Sequence, residues 1–172
     1  MIEKVFLENK KTEQIIGTIP YGSTERDEVW HTIFIKVAKL IASGSHCVSK
    51  KVGCLIVRNK RIISTGINGT PEGSTNCDDM FNPSNFNRIE HHEWSRIHEL
   101  HSEINSLMIA AKEGVSVKGC DMYLTLSPCI DCAKAMVAAG IKNVYFNEMY
   151  DLETSGIRFL IDSGVNVFKI SL

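Results

Sequence analysis

The chain has 172 residues, enough for one domain with its own core, and 44% of them are hydrophobic. Its 19 basic and 20 acidic residues leave no cationic excess for a long polynucleotide footprint, although a small anionic ligand needs only a few local cations. No apolar run approaches the ~20 residues of a membrane helix, and the opening MIEKVFLENKKTEQ has no apolar signal core, so the expectation is a cytoplasmic protein with neither membrane nor nucleic-acid polymer as partner.

Residues 1–22 are polar with scattered apolar positions and read as an N-terminal arm, loose or forming a short edge element; residues 23–172 read as a single domain. Thr24 followed by Asp27 suits a helix start. Val29, Ile33, Val37, Leu40 and Ile41 then recur at helical spacing, which predicts an amphipathic helix over 25–43, ended by Gly44. Apolar, β-branched runs at 52–57 and 61–67, joined by Asn59-Lys60, predict a hairpin. Residues 69–97 hold Gly69, Pro71, Gly73, Asn76, Pro83 and Asn85 and read as one long loop, a feature usually kept for function. A helical pattern returns over 99–113, with Ile104, Leu107, Met108 and Ala111 on one face. Then come a strand over 122–126, a helix over 129–139 stopped at Gly140, a strand over 143–146, a helix over 153–163 and a strand over 165–170. The order αββαβαβαβ predicts an α/β fold: a three-layer α/β/α sandwich around a five-stranded mixed sheet, its second half parallel because helices and strands alternate there.

The six cysteines are Cys47, Cys54, Cys77, Cys120, Cys129 and Cys132. In a cytosolic chain they read as metal ligands, core thiols or catalytic groups rather than disulfides. Cys129-x-x-Cys132 follows a strand and opens a helix, so both sulfurs aim at one spot where the helix N-terminus favours thiolate. Taken alone, such a pair serves redox chemistry or structural zinc as readily as catalysis. With His101 it offers zinc three protein ligands and an open fourth position, the arrangement of a catalytic site. Glu103, two residues past His101, is placed to move protons without binding the metal. The joint pattern His-x-Glu, strand, Pro-Cys-x-x-Cys is the signature of zinc deaminases. Other residues keep two readings. Asn68 is a turn residue or a hydroxyl-binding amide. Tyr150 is a core aromatic or a ligand contact. Lys50 and Lys51 are a solvated pair or phosphate cations. Cys54 and Cys120 read as core thiols, and Trp30 and Trp94 as packing or base-stacking rings.

At these residues the chain resembles the cytidine deaminase superfamily, and within it the deoxycytidylate deaminases, particularly those of bacteriophages. The likeness runs from about residue 29 to 170 through Lys51-Val52-Gly53, the stretch from Ile62 to Pro71, His91, Glu93-Trp94-Ser95, His101-Ser102-Glu103-Ile104-Asn105 and Thr125-Leu126-Ser127-Pro128-Cys129. Ile67 replaces the tyrosine of the family's Gly-Tyr-Asn-Gly. The resemblance implies hydrolytic deamination of dCMP to dUMP and ammonia, feeding dTMP synthesis. It implies a catalytic zinc on His101, Cys129 and Cys132, with Glu103 shuttling the proton. It places Asn68, Ser102, Ser127, Tyr150 and Lys51 at the substrate. It also implies a second, structural zinc on Cys47, Cys77, His91 and Glu99, with His92 and His98 as neighbouring competitors. Regulation by dCTP as activator and dTTP as inhibitor, with Mg2+ on the triphosphate, would use Asn68, Gly69, Glu72, Gly73 and Lys50, in a homohexamer. The alternatives are a free cytidine or deoxycytidine deaminase, a deaminase of polynucleotides, and a zinc-stabilised interaction module without activity.

Overall fold

The computed structural model describes residues 2–7, 15–20, 25–150 and 154–172. Strands β1 (Ile2–Leu7) and β2 (Ile15–Pro20) precede helix α1 (Glu25–Ala42). The hairpin β3 (Gly53–Arg58) and β4 (Arg61–Ile67) follows. Next come α2 (Cys77–Met80), α3 (Arg88–His98) and α4 (Ser102–Lys112). The chain then alternates through β5 (Asp121–Leu126), α5 (Ile130–Ala139), β6 (Asn143–Glu148), α6 (Ser155–Asp162) and β7 (Asn166–Ile170).

The five strands expected from the sequence all form and are mixed as expected: β3 is antiparallel to both β4 and β5, and β5, β6 and β7 are parallel. The sheet is wider than expected, however. Its order is β2-β1-β7-β6-β5-β3-β4, because β1 pairs antiparallel with β7 and β2 with β1. Within residues 1–22, the edge-element reading therefore describes 2–7 and 15–20, as a two-stranded addition. Thr24 and Glu153, assigned to helix starts from the sequence, lie outside the described residues. Asn59 and Lys60 both take positive φ, 50° and 60°, the backbone of a tight two-residue turn whose twist suits a hairpin.

The period of two along each strand sorts the core into two layers. Leu55, Val57, Tyr123, Tyr145 and Phe168 face α1, meeting Phe34, Ile35 and Ala38. Cys54, Ile56, Met122, Leu124, Val144, Phe146 and Val167 face the other way, onto Leu107, Met136, Ile157 and Leu160 of α4, α5 and α6. This is the three-layer sandwich.

Two helices bury a face rotated from the one their spacing suggested: Val37 and Ile41 of α1 and Ile104 and Leu107 of α4 pack on the core as expected, and the rest of each stripe does not. In α1, Val29, Ile33 and Leu40 are exposed, and His31, Phe34, Ile35, Ala38 and Ala42 are buried. Its backbone comes so near β3 that a Cβ on Gly53 would stand 2.2 Å from the carbonyl oxygen of Ala38, and only a stripe of small residues permits that approach. In α4, Met108 is exposed and Ala111 faces solvent, whereas Ser102, Glu103, Ser106, Leu107 and Ala110 are buried. The long loop over 69–97 is not structureless either. It contains α2 and α3, and Asn87 caps α3 by accepting from the N–H groups of Ile89 and Glu90.

Candidate metal centre and active site

Because β4 and β5 are both antiparallel to β3, and β5 and β6 are parallel, β4, β5 and β6 end at the same edge of the sheet. That edge collects Asn68 after β4, Ser127 to Cys129 after β5 and Tyr150 after β6, where ligands of open α/β sheets bind.

His101 occupies the N-cap position of α4 and Cys129 that of α5, with Cys132 in the first turn of α5. The His101 Nδ1 stands 3.4 Å from the Cys129 sulfur and 3.3 Å from that of Cys132. Exposure falls from His101 (exposed) through Cys129 (half-buried) to Cys132 (buried), so the cluster opens on one side. Hydrogen bonds from Cys132 and then His101 hold the Cys129 thiol down to about 4. The same pairing pushes His101 up to about 8 and leaves the proton on Cys132, whose thiol is driven upward. An imidazole and two sulfurs, one already a thiolate, converging at helix N-termini, form a donor set that fits zinc.

Glu103 is 4% exposed and accepts a 2.9 Å hydrogen bond from the Ser102 hydroxyl. Burial raises its carboxyl above the usual carboxylate range, and nearby His101 moderates the rise. Beneath it lies a seam that sequence reasoning did not assign. Ser106 donates to the Glu103 carbonyl at 2.9 Å, Cys54 lies 3.2 Å from the Ser106 hydroxyl, and Ser64 donates to the Ser106 carbonyl at 2.7 Å. Cys54 and Cys120 are buried, as core thiols should be.

A second cluster unites Cys47, Cys77, His91 and Glu99, all with ligand atoms within 4.8 Å of one another. The Cys47 sulfur is 3.6 Å from His91 Nε2. Glu99 Oε2 accepts from Ser95 at 2.5 Å, while Oε1 is buried without a hydrogen-bond partner among the described residues. An orphaned carboxylate oxygen beside two thiols and an imidazole is costly unless a cation completes it. Burial pushes the Cys77 thiol up to about 12, which the same cation would reverse. His92 and His98 are exposed and stand outside the cluster, His98 stacking on Trp94. The missed residue here is Ser95; its spacing of four from Glu99 within one helical turn was the available signal.

The remaining candidates divide. Asn68 Oδ1 accepts from the Val52 N–H and Nδ2 donates to the Lys50 carbonyl, both at 2.8 Å, using one acceptor site and one donor of its amide. The Ser127 hydroxyl accepts from the Tyr150 N–H at 2.8 Å. The Lys50 ammonium lies 4.7 Å over the Tyr150 ring, so it stands with Tyr150 rather than with residues 69–73. Lys51 donates to the Ser43 carbonyl at 3.3 Å. Gly69 and Leu100 exchange backbone hydrogen bonds of 3.1 and 2.8 Å, tying the 69–73 turn to the extended Glu99-Leu100-His101 segment that feeds both clusters. Gly73 has φ +84°, and Glu72 is exposed with Lys112 3.9 Å away.

Residues 28–148 match the family described as the cytidine and deoxycytidylate deaminase zinc-binding region. The deoxycytidylate deaminase of Enterobacteria phage T2 is 36% identical over 168 residues, covering 79% of this chain and 89% of its own. The phage T4 deoxycytidylate deaminase is also 36% identical, over 79% and 87%. The crystal structure of dCMP deaminase from cyanophage S-TIM5 in complex with dCMP and dUMP aligns with a TM-score of 0.69 at 34% identity, covering 87% of this chain and 100% of that one. With the His101, Glu103, Cys129 and Cys132 constellation assembled inside the matched segment, the chain belongs to the zinc-binding cytidine and deoxycytidylate deaminase family.

Proposed function

We propose that this deaminase converts dCMP to dUMP and ammonia. The observation that carries the reading is the buried Glu103 carboxyl, raised by burial, beside the His101, Cys129 and Cys132 cluster at the open edge of the sheet. The S-TIM5 enzyme, seen with dCMP and dUMP, supports the choice of substrate.

His101, Cys129 and Cys132 hold the catalytic zinc, which when bound supplies an acidified water. Glu103 takes one proton from the attacking water and delivers it to N3 of the cytosine ring. It then carries the second proton to the amine; the C4–N bond breaks, ammonia leaves, and C4 keeps a carbonyl. A carboxyl that burial raises above the usual carboxylate range holds a proton more readily, which suits both directions of transfer. Ser102 orients it through the hydroxyl bond to Oε2. Asn68 after β4 and Ser127 after β5 are read as the sugar contacts, and Tyr150, with Lys50 over its ring, and Lys51 as the phosphate contacts. Cys47, Cys77, His91 and Glu99 hold a second, structural zinc that closes the chain around 69–98. Asn68 and the 69–73 turn, without Lys50, are read as the site of dCTP and Mg2+–dTTP in a homohexameric enzyme, acting in the cytoplasm.

The test is ammonia release from a panel of cytosine and adenine nucleosides and nucleotides. dCMP should be turned over fastest; equal or faster turnover of cytidine or deoxycytidine would move the assignment to a nucleoside deaminase.

A further inference from the structure

Zinc–ligand distances keep to within about 0.2 Å of their usual values. His101 and the two cysteines, however, belong to different helices. Something must fix the separation of the α4 start from the α5 start, and two glycines stand in direct backbone contact with those starts. A Cβ on Gly66, in β4, would stand 2.2 Å from the Ser102 carbonyl oxygen and 2.6 Å from the Ser106 nitrogen. A Cβ on Gly156, in the first turn of α6, would stand 2.1 Å from the Pro128 carbonyl oxygen and 2.8 Å from the carbonyl carbon and oxygen of Cys129. All but one of the nearest atoms at these two positions are backbone, so no rotamer change relieves the contact. Neither glycine takes positive φ. The need is for closeness, and on conformational grounds alone alanine at Gly156 would favour the helix.

We propose that Gly156 and Gly66 are positioning residues that set the span between the zinc ligands, Gly156 seating the Pro128-Cys129 turn on α6 and Gly66 seating the His101 to Glu103 turn on β4. The inference rests on the reading of His101, Cys129 and Cys132 as zinc ligands. Gly156 is the sharper case, since it lies on an element that carries no ligand and no substrate contact.

The test reads the metal site rather than turnover. Zinc-loaded protein is exposed to graded chelator and alkylated with iodoacetamide, and tagged Cys129 and Cys77 are counted by peptide mass. Gly156→Ala and Gly66→Ala should expose Cys129 at a chelator concentration at least tenfold lower than wild type needs, with the Cys77 threshold unmoved. Gly53→Ala is the control: its Cβ would also stand 2.2 Å from a helix carbonyl, that of Ala38, but α1 carries none of the three ligands. Its Cys129 threshold should match wild type. Wild-type thresholds in the Gly156 and Gly66 variants, or an equal shift in the Gly53 control, would overturn the proposal. A wild-type Cys129 that zinc never protects would instead remove the metal-site reading, and the proposal with it. The unsubstituted protein supplies a second measurement, independent of whether the variants fold. Zinc removal should speed amide exchange at Arg158, Phe159 and Leu160 in α6 more than at Ala38 to Ala42 in α1, because coupling through the seat is reciprocal; equal changes in the two helices overturn the idea.

Discussion

Replacing Glu103 by glutamine removes proton transfer and little else. The side chain is nearly isosteric, the Ser102 hydroxyl still has an oxygen to donate to, and the zinc ligands are untouched. Positioned acid–base help contributes about 10²–10⁴-fold, so kcat should fall by at least ~10², corresponding to about 3–5 kcal/mol of barrier. Zinc content should stay at the wild-type value. Stability should move the other way. Burial raises the folded-state pKa of Glu103 above its unfolded value, so keeping the carboxyl buried costs stability that sets in as the pH rises through the unfolded pKa and is complete above the folded pKa. That cost vanishes below about pH 4, where the unfolded side chain is protonated as well. In the metal-free protein, Glu103→Gln should therefore be the more stable form at pH 7, with the difference shrinking to nothing as the pH falls through 4. Paired measurements of ammonia release, zinc content by mass spectrometry and urea midpoints at pH 7 and 4 give the answer. A variant within tenfold of wild-type kcat would refute Glu103 as the proton carrier.

Three further outcomes are expected. Metal analysis of Cys77→Ser should find one zinc per chain lost and the other retained; wild-type protein with a single zinc would remove the second site. In metal-free protein, Cys129 with a pKa near 4 should be alkylated at pH 6 well ahead of Cys132 and Cys54, and its rate should change little between pH 5 and 7, where an ordinary thiol would gain about tenfold per unit. Titrations of dCMP should become hyperbolic with dCTP and shift to higher dCMP with Mg2+–dTTP, by about 5–150-fold at a coupling of ~1–3 kcal/mol; identical curves in all conditions would leave the 69–73 turn without a regulatory role.

Local patterns were legible and closeness was not. The β3 to β7 strands stand out as apolar runs, and His101-x-Glu103 with Cys129-x-x-Cys132 declares itself because each half lies within one helical start. Helix α3 escaped notice because RIEHHEWSRIH buries only His91 and lacks an apolar stripe; the Asn87 cap was its one local sign. The buried face of α1 is not legible locally, because Val29, Ile33 and Leu40 form a stripe as apolar as the buried one, and only the approach to Gly53 decides between them. The pairing of β1 with β7 joins opposite ends of the chain, and no local periodicity encodes that. Asn68 shows the same divide: its place at the end of β4 is readable, its bracing of Val52 and Lys50 is not.

Cys77 and His91 enter the second cluster from either side of the segment 78–90, and the extended Glu99 to His101 stretch leaves it for the active site. With a cation in that cluster, the intervening chain would be fastened at both ends to one point. Lengthening it adds loop-closure entropy that grows only with the logarithm of its length, and the displacement stops at the fastening. Among descendants of this gene, insertions and deletions should gather between Cys77 and His91 and spare the two-residue step from Glu99 to His101. For an engineer, the same interval is the natural place to splice in a foreign peptide without disturbing the chemistry next door.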